Sequence, residues 1–146
     1  MANTSAICSS FKQELLQGKH NFASSGGDTF NIALYDSDAT LGASTTGYST
    51  SEEITNTSGT AYTAGGATLT RTGVGLTGTT AFTDFGDVTY TSASFTANAA
   101  LIYNDSASGD PACAVIAFGG DKTASNVTFK FEIPANDATG AIIRLA

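Results

Sequence analysis

A single histidine, two cysteines and no tryptophan in 146 residues leave little with which to build a reactive centre. Zinc sites take three or four Cys, His or carboxylate ligands, and His20 with the widely separated Cys8 and Cys113 does not supply such a set. A Ser–His or Cys–His mechanism would have to run through His20. That residue follows Gly18-Lys19, just past a helix end, where an imidazolium interacts favourably with helix carbonyls. A capping or surface role is expected for it, and no catalytic residue, cofactor or metal is assigned. Cationic side chains are also scarce: six Lys and Arg stand against thirteen Asp and Glu, for a net charge of −7. A polyanion is bound through clustered Lys and Arg that release counterions, and here they are scattered, so no direct contact with nucleic acid or an anionic membrane is expected. No run approaches the ~20 apolar residues of a membrane helix. The opening Met1-Ala2-Asn3-Thr4-Ser5 lacks a basic region followed by an apolar stretch, so no secretory leader is expected.

With two cysteines there is no disulfide scaffold. Cys113 lies in the run Ala112-Cys113-Ala114-Val115-Ile116-Ala117-Phe118 and reads as a small core residue. A Cys8–Cys113 pair stays open, because separation in sequence says nothing about distance in the fold. Three triplets, Asn3-Thr4-Ser5, Asn56-Thr57-Ser58 and Asn126-Val127-Thr128, match the glycosylation pattern, as chance allows in a chain this rich in Ser and Thr.

Charged residues make up 13% of the chain, about half of the usual ~25%. Ser, Thr, Ala and Gly take their place. Thr packs well on a pleated surface and Gly punctuates turns, so the composition suits short strands with neutral polar outer faces. Regularly spaced Phe, Tyr, Ile and Leu argue against disorder. One domain of this length buries enough surface to fold without a metal or disulfides.

The spacing of apolar residues places the elements. Ser9 to Gly18 reads as a short helix, with Ser10 as cap, Phe11, Leu15 and Leu16 on one face and Gly18 as stop. Two turns are not stable alone, so that face must dock on the domain's own sheet or on a neighbouring subunit. From Phe30 the period becomes two, and Phe30, Ile32 and Leu34 mark a half-buried strand. Residues 36–60 read as a long loop with one helical turn near Ser51-Glu52-Glu53-Ile54. Strands are expected at 67–72, 80–82 and 87–91. The segments 99–104 and 113–118 form a hairpin buried on both faces, and 127–133 and 140–145 are the last strands. Gly26-Gly27-Asp28 and Gly119-Gly120-Asp121 lack the Lys of a phosphate loop and read as turns. The fold expected is mainly β: an antiparallel sandwich or barrel, jelly-roll-like, of about 6–8 short strands with a short N-terminal helix. Residues 1–22 are an arm and short helix, and 23–146 the β-sandwich domain.

Carboxylates are the abundant reactive groups. Asp84/Asp87 or Asp36/Asp38 could serve a glycosidase by proximity, but without Trp platforms the signal is weak. Asp36-Ser37-Asp38 and Asp105 to Asp110 offer oxygen ligands for calcium, yet neither fits the twelve-residue calcium loop. Solvated turns are the simpler reading.

Taken as a set, several segments resemble a family of small virion proteins of tailed bacteriophages. They are Ser10-Phe11-Lys12-Gln13-Glu14-Leu15-Leu16-Gln17-Gly18-Lys19-His20-Asn21-Phe22, Gly27-Asp28-Thr29-Phe30-Asn31-Ile32-Ala33-Leu34-Tyr35, Tyr62-Thr63-Ala64-Gly65-Gly66, Ala100-Leu101-Ile102-Tyr103-Asn104, Phe118-Gly119-Gly120-Asp121-Lys122 and Ala141-Ile142-Ile143-Arg144-Leu145. The resemblance spans almost the whole chain, and its motifs are structural rather than chemical. It implies a non-enzymatic capsid decoration (cement) protein, made in the host cytoplasm and carried on the outer capsid surface of the virion. It further implies the major capsid protein as partner and a homo-oligomer, often a trimer. Phe11, Leu15, Leu16 and Phe22 would then form the capsid or subunit contact. The alternatives are a tail, neck or fibre component, or a carbohydrate- or receptor-binding module using Tyr48 and Tyr62.

Overall fold

The computed structural model describes residues 2–54 and 60–146, so the Asn56-Thr57-Ser58 triplet lies outside the described residues. In chain order the elements are β1 (Ala6–Ile7), α1 (Ser9–Leu16), β2 (Phe30–Tyr35), β3 (Ala67–Thr68), β4 (Arg71–Thr77), β5 (Thr80–Phe85), β6 (Val88–Asn104), β7 (Ala112–Phe131) and β8 (Ile143–Leu145). All strand pairings are antiparallel. They make a five-stranded sheet, β1-β7-β6-β2-β3, and a three-stranded sheet, β4-β5-β8. The sheets do not close into a barrel, and the fold is mainly β and sandwich-like, with one short helix. No helix among the described residues is long and apolar enough to cross a membrane.

The helix forms where the spacing predicts but starts differently. Cys8, not Ser10, is the N-cap, and its side chain makes no capping bond. The Ala43 carbonyl instead accepts the Ser9 N–H at 2.8 Å, which satisfies one of the orphan donors every helix start exposes. At the other end Gly18 adopts φ +70°. Its N–H donates to Leu15 O and that of Lys19 to Glu14 O, the paired bonds of a Schellman stop. This reversal carries His20 and Phe22 beneath the helix. The main core closes there: Phe22 stacks on Phe30 at 4.4 Å between ring centroids, Phe85 lies 5.6 Å from Phe30, and Phe11 meets Phe22 edge-on at 6.0 Å. One ring comes from the helix, one from each sheet and one from the connecting segment. Burying each is worth roughly 1.5–3 kcal/mol. Residues 2–22 thus supply β1 to the edge of the large sheet and two of these rings to the core.

Three expectations from periodicity are corrected. β2 is buried on nearly its whole length rather than on one face, because residues 36–54 pack over its second side. Tyr35 donates its hydroxyl to Ser49 O at 2.6 Å, and Tyr48 stacks on Tyr103 at 4.6 Å. The Ser51–Ile54 segment is not a helical turn; it bridges to β2 through Glu53 and Tyr35. The strands expected at 87–91 and 99–104 are one strand, β6, and those at 113–118 and 127–133 merge into β7, 20 residues long. Gly119-Gly120-Asp121 is therefore inside a strand. There Ala97 pairs with Lys122 and Ala99 with Ala117, so two steps of β6 span five of β7. The surplus is taken up by Gly119 at φ +73° and Gly120 at φ +148°, backbone that side-chain-bearing residues rarely adopt.

Candidate functional site

The ionisable side chains of His20, Glu53 and Asp84 are buried inside the fold. His20, expected at a surface or cap, is buried, with a fully covered side chain. The turn at Gly18 puts its ring 4.8 Å from that of Phe11. Nε2 sits 2.8 Å from Glu14 Oε2, and Asn104 Nδ2 donates to Nδ1 at 3.0 Å. Asn104 Oδ1 accepts the Ser106 and Ala107 N–H groups, which fixes the amide orientation and assigns the His20 proton to Nε2. Both ring nitrogens are engaged by neighbours, so the arrangement ties helix to sheet and leaves neither nitrogen facing a substrate.

Glu53 is nearly buried and accepts three hydrogen bonds. Tyr62 Oη donates to Oε1 at 2.6 Å, the Gly65 N–H to Oε1 at 2.7 Å, and Tyr48 Oη to Oε2 at 2.7 Å. Burial, reinforced by the adjacent Glu53, pushes the Tyr62 and Tyr48 hydroxyls well above the ordinary tyrosine value and keeps them donors. Tyr62 is buried in the core, so it is not an exposed platform for a sugar ring.

The Asp84/Asp87 pair is divided between two tasks. Asp84 is fully buried on β5; its Oδ1 accepts the Ile142 N–H at 3.4 Å, and its Oδ2 has no hydrogen-bond partner among the described residues. Burial raises its pKa above the ordinary carboxylate value. Asp87 accepts the Ile133 N–H at 2.8 Å and pairs with Lys130 at 3.0 Å, and these contacts hold its carboxyl below that value. Asp36 and Asp38, with Glu52, place carboxylate oxygens within 4.8 Å of one another. Asp36 Oδ1 accepts the Asp38 N–H, the bond of a surface turn. Cys8 and Cys113 are free and buried, their backbones joined by the Cys8 N–H to Cys113 O bond at 3.0 Å. Burial pushes the Cys8 thiol up to about 11 and raises that of Cys113 as well.

Apolar surface, by contrast, faces outward. The four contact residues expected from sequence separate: Phe11 and Phe22 are buried, Leu15 is half-buried, and Leu16 is 92% exposed. Five residues on from Phe11, Leu16 turns off the buried stripe at about 3.6 residues per turn. Leu15 and Phe22 line a groove of about 160 Å³ with Val74, Ala81, Phe82, Thr83, Ile143 and Leu145. Val74, Leu76 and Leu145 are exposed beside it. These strand residues had a signal in the sequence, the Val74-Gly75-Leu76 alternation beyond the strand expected at 67–72; that expected strand is in fact split, Ala67–Thr68 pairing with β2 in the large sheet and Arg71 onward with β5 in the small one. A second, shallower depression on β7 is lined by Ile116, Phe118, Phe129 and Phe131 with Lys122, Lys130 and Glu132. Comparison with protein families, curated proteins and solved structures gives no match to this chain.

Proposed function

We propose that the chain is a non-enzymatic structural protein of a tailed-bacteriophage particle. In this reading it is a capsid decoration (cement) protein that binds the major capsid protein on the outer head surface as a homo-oligomer. The observation that carries the reading is the division of labour between interior and surface. His20, Glu53 and Asp84 are buried in contacts that join elements of the fold, whereas Leu16, Val74, Leu76, Val127 and Leu145 are large apolar side chains in the open. A cement protein works by adding contact area between capsomers, and apolar exposure serves that more directly than reactive groups do. The virion resemblance of the segments quoted above supports the same role. Its acidity is compatible with a position outside the shell, away from packaged DNA.

The test uses expanded, DNA-free heads purified from a phage strain in which the gene for this chain is deleted. Added protein is expected to pellet with the heads, to saturate at a fixed number of copies per particle, and to raise the temperature at which the heads rupture. Protein that pellets no better with heads than alone would overturn the proposal.

A further inference from the structure

The small sheet has two unlike faces. Cross-strand register places Val74 opposite Thr83 and Leu76 opposite Ala81, with Ala81 and Thr83 opposite Leu145 and Ile143 on the other side. Opposed residues share a face, so Val74, Leu76, Ala81, Thr83, Ile143 and Leu145 form one continuous surface. At one end this surface is core, since Thr83 and Ile143 are buried. At the other end it runs on past the core: Val74 is 67%, Leu76 72% and Leu145 59% exposed. Leu15 lines the groove at this overhang, and Leu16, next along the helix, is almost fully exposed.

We infer that this overhanging apolar face is a self-association surface, and that its occupant is the same face of a second copy of the chain. Area and charge both favour that occupant. The four most exposed side chains leave roughly 500 Å² of apolar surface open, near the upper range for the largest patch on a monomer. Two such faces, fully covered, together bury about 1,000 Å², the threshold a biological interface has to meet. The groove lining contains no charged residue. Two copies, each of net charge −7, can therefore meet there without setting carboxylates against each other, and a basic partner would find no carboxylate in the groove to pair with. This inference does not depend on the capsid reading: a chain that self-associates but ignores heads would refute only the latter.

Sedimentation equilibrium of the full chain at micromolar concentration is the test. The wild type is expected to be an oligomer, and the double variant L76S/L145S a monomer with the same far-UV circular dichroism. Leu16→Lys, a change at a site too exposed to disturb folding, should weaken association by roughly tenfold or more. Val127→Ser, an exposed site outside this face, should leave it unchanged. A monomeric wild type, or an oligomer that persists in both L76S/L145S and Leu16→Lys, would overturn the inference. A monomeric wild type that pellets with neutral phosphatidylcholine vesicles, where L76S/L145S does not, would overturn it in favour of a lipid surface.

Discussion

Removing one oxygen atom, by Tyr62→Phe, should destabilise the fold more than any comparable surface change. The hydroxyl donates to Glu53 Oε1 at 2.6 Å and accepts the Leu34 N–H at 3.0 Å. The second bond matters because β3 covers β2 only opposite Asn31 and Ile32. Beyond that point the outer edge of β2 is completed by Ile54 N–H on the Leu34 carbonyl and by the Tyr62 hydroxyl on the Leu34 amide. In the variant, Glu53 loses one of three donors and a buried amide loses its acceptor. A hydrogen bond to a charged group contributes about 1.5–3 kcal/mol, and an orphaned buried donor costs about 1–3 kcal/mol; the two overlap, for a net loss of about 2–4 kcal/mol. For a domain of this length that is a fall in Tm of roughly 5–15 °C.

Urea unfolding followed by far-UV circular dichroism measures the loss directly, with an unchanged m-value as evidence that only stability has moved. Tyr48→Phe is the internal control. Its hydroxyl also meets Glu53, at 2.7 Å, but no other partner among the described residues is bonded to it and the residue is only half-buried. The ordering Tyr62→Phe worse than Tyr48→Phe is thus required, and a double-mutant cycle of Tyr62→Phe with Glu53→Gln should show coupling of about 1 kcal/mol or more. A Tyr62→Phe protein within about 0.5 kcal/mol of the wild type, or less affected than Tyr48→Phe, would refute the reasoning.

Other positions give independent checks. Phe22→Ala should cost about 3–5 kcal/mol by leaving a cavity against Phe30, whereas Val127→Ser, at an exposed site outside the overhanging face, should stay within about 0.5 kcal/mol of the wild type, both read from urea midpoints. Gly66→Ala should cost at least about 3 kcal/mol, since Gly66 has φ +83° and a Cβ there would overlap the Ile32 carbonyl; thermal melts of a folded, near-wild-type variant would contradict this. Asp84→Asn should gain on the wild type as pH rises. The folded state holds the Asp84 proton above the ordinary carboxylate value, so as pH rises from about 4 the unfolded chain ionises first and wild-type stability falls, a loss the amide cannot suffer. A difference in Tm between the two proteins that does not change as pH rises would remove the buried carboxyl from the explanation.

What the sequence made legible was whatever its local spacing decides. Phe11 and Leu15 with Gly18 define the helix and its stop, and the Ala99–Asn104 and Cys113–Phe118 runs define a hairpin that pairs Leu101 with Val115. The β-rich class follows from the same periodicity. The length of β6 and β7 was hidden because Gly119-Gly120 carries the chemistry of a turn; a bulge uses the same dihedral freedom without reversing the chain. The near-complete burial of β2 was hidden because its cover comes from a loop poor in large apolar residues, in which Tyr48 stacks on Tyr103 and the Ser49 carbonyl takes the Tyr35 hydroxyl. Glu53 and Asp84 look like any solvated acid in sequence, since their burial depends on what strands distant in the chain bring over them. His20 was misplaced for a related reason: the direction of the chain after a helix stop is set by the Gly18 dihedrals and by the aromatic pocket beneath, not by the residues near it.

The overhanging face acquires its meaning from how firmly the small sheet beneath it is held. An apolar hairpin tip projecting beyond a core is a liability for aggregation, and a loosely attached one could fold back to cover itself. This one is braced. Arg71 Nε donates to Ala23 O at 2.8 Å and its Nη1 to Asp28 O, fastening β4 to the segment before β2. Thr72 Oγ1 donates to Asp84 O and Thr83 Oγ1 to Gly73 O, each at 2.8 Å, tying β4 to β5. The Ile142 N–H on Asp84 fastens the start of the last strand. The Phe82 ring lies over Gly75, where a Cβ would collide with it. Retaining a buried carboxyl group with an unbonded oxygen and a glycine under an aromatic ring both lower stability in isolation. Together they hold Val74, Leu76 and Leu145 in a fixed exposed plane, which is the geometry a contact surface needs and a self-contained core does not.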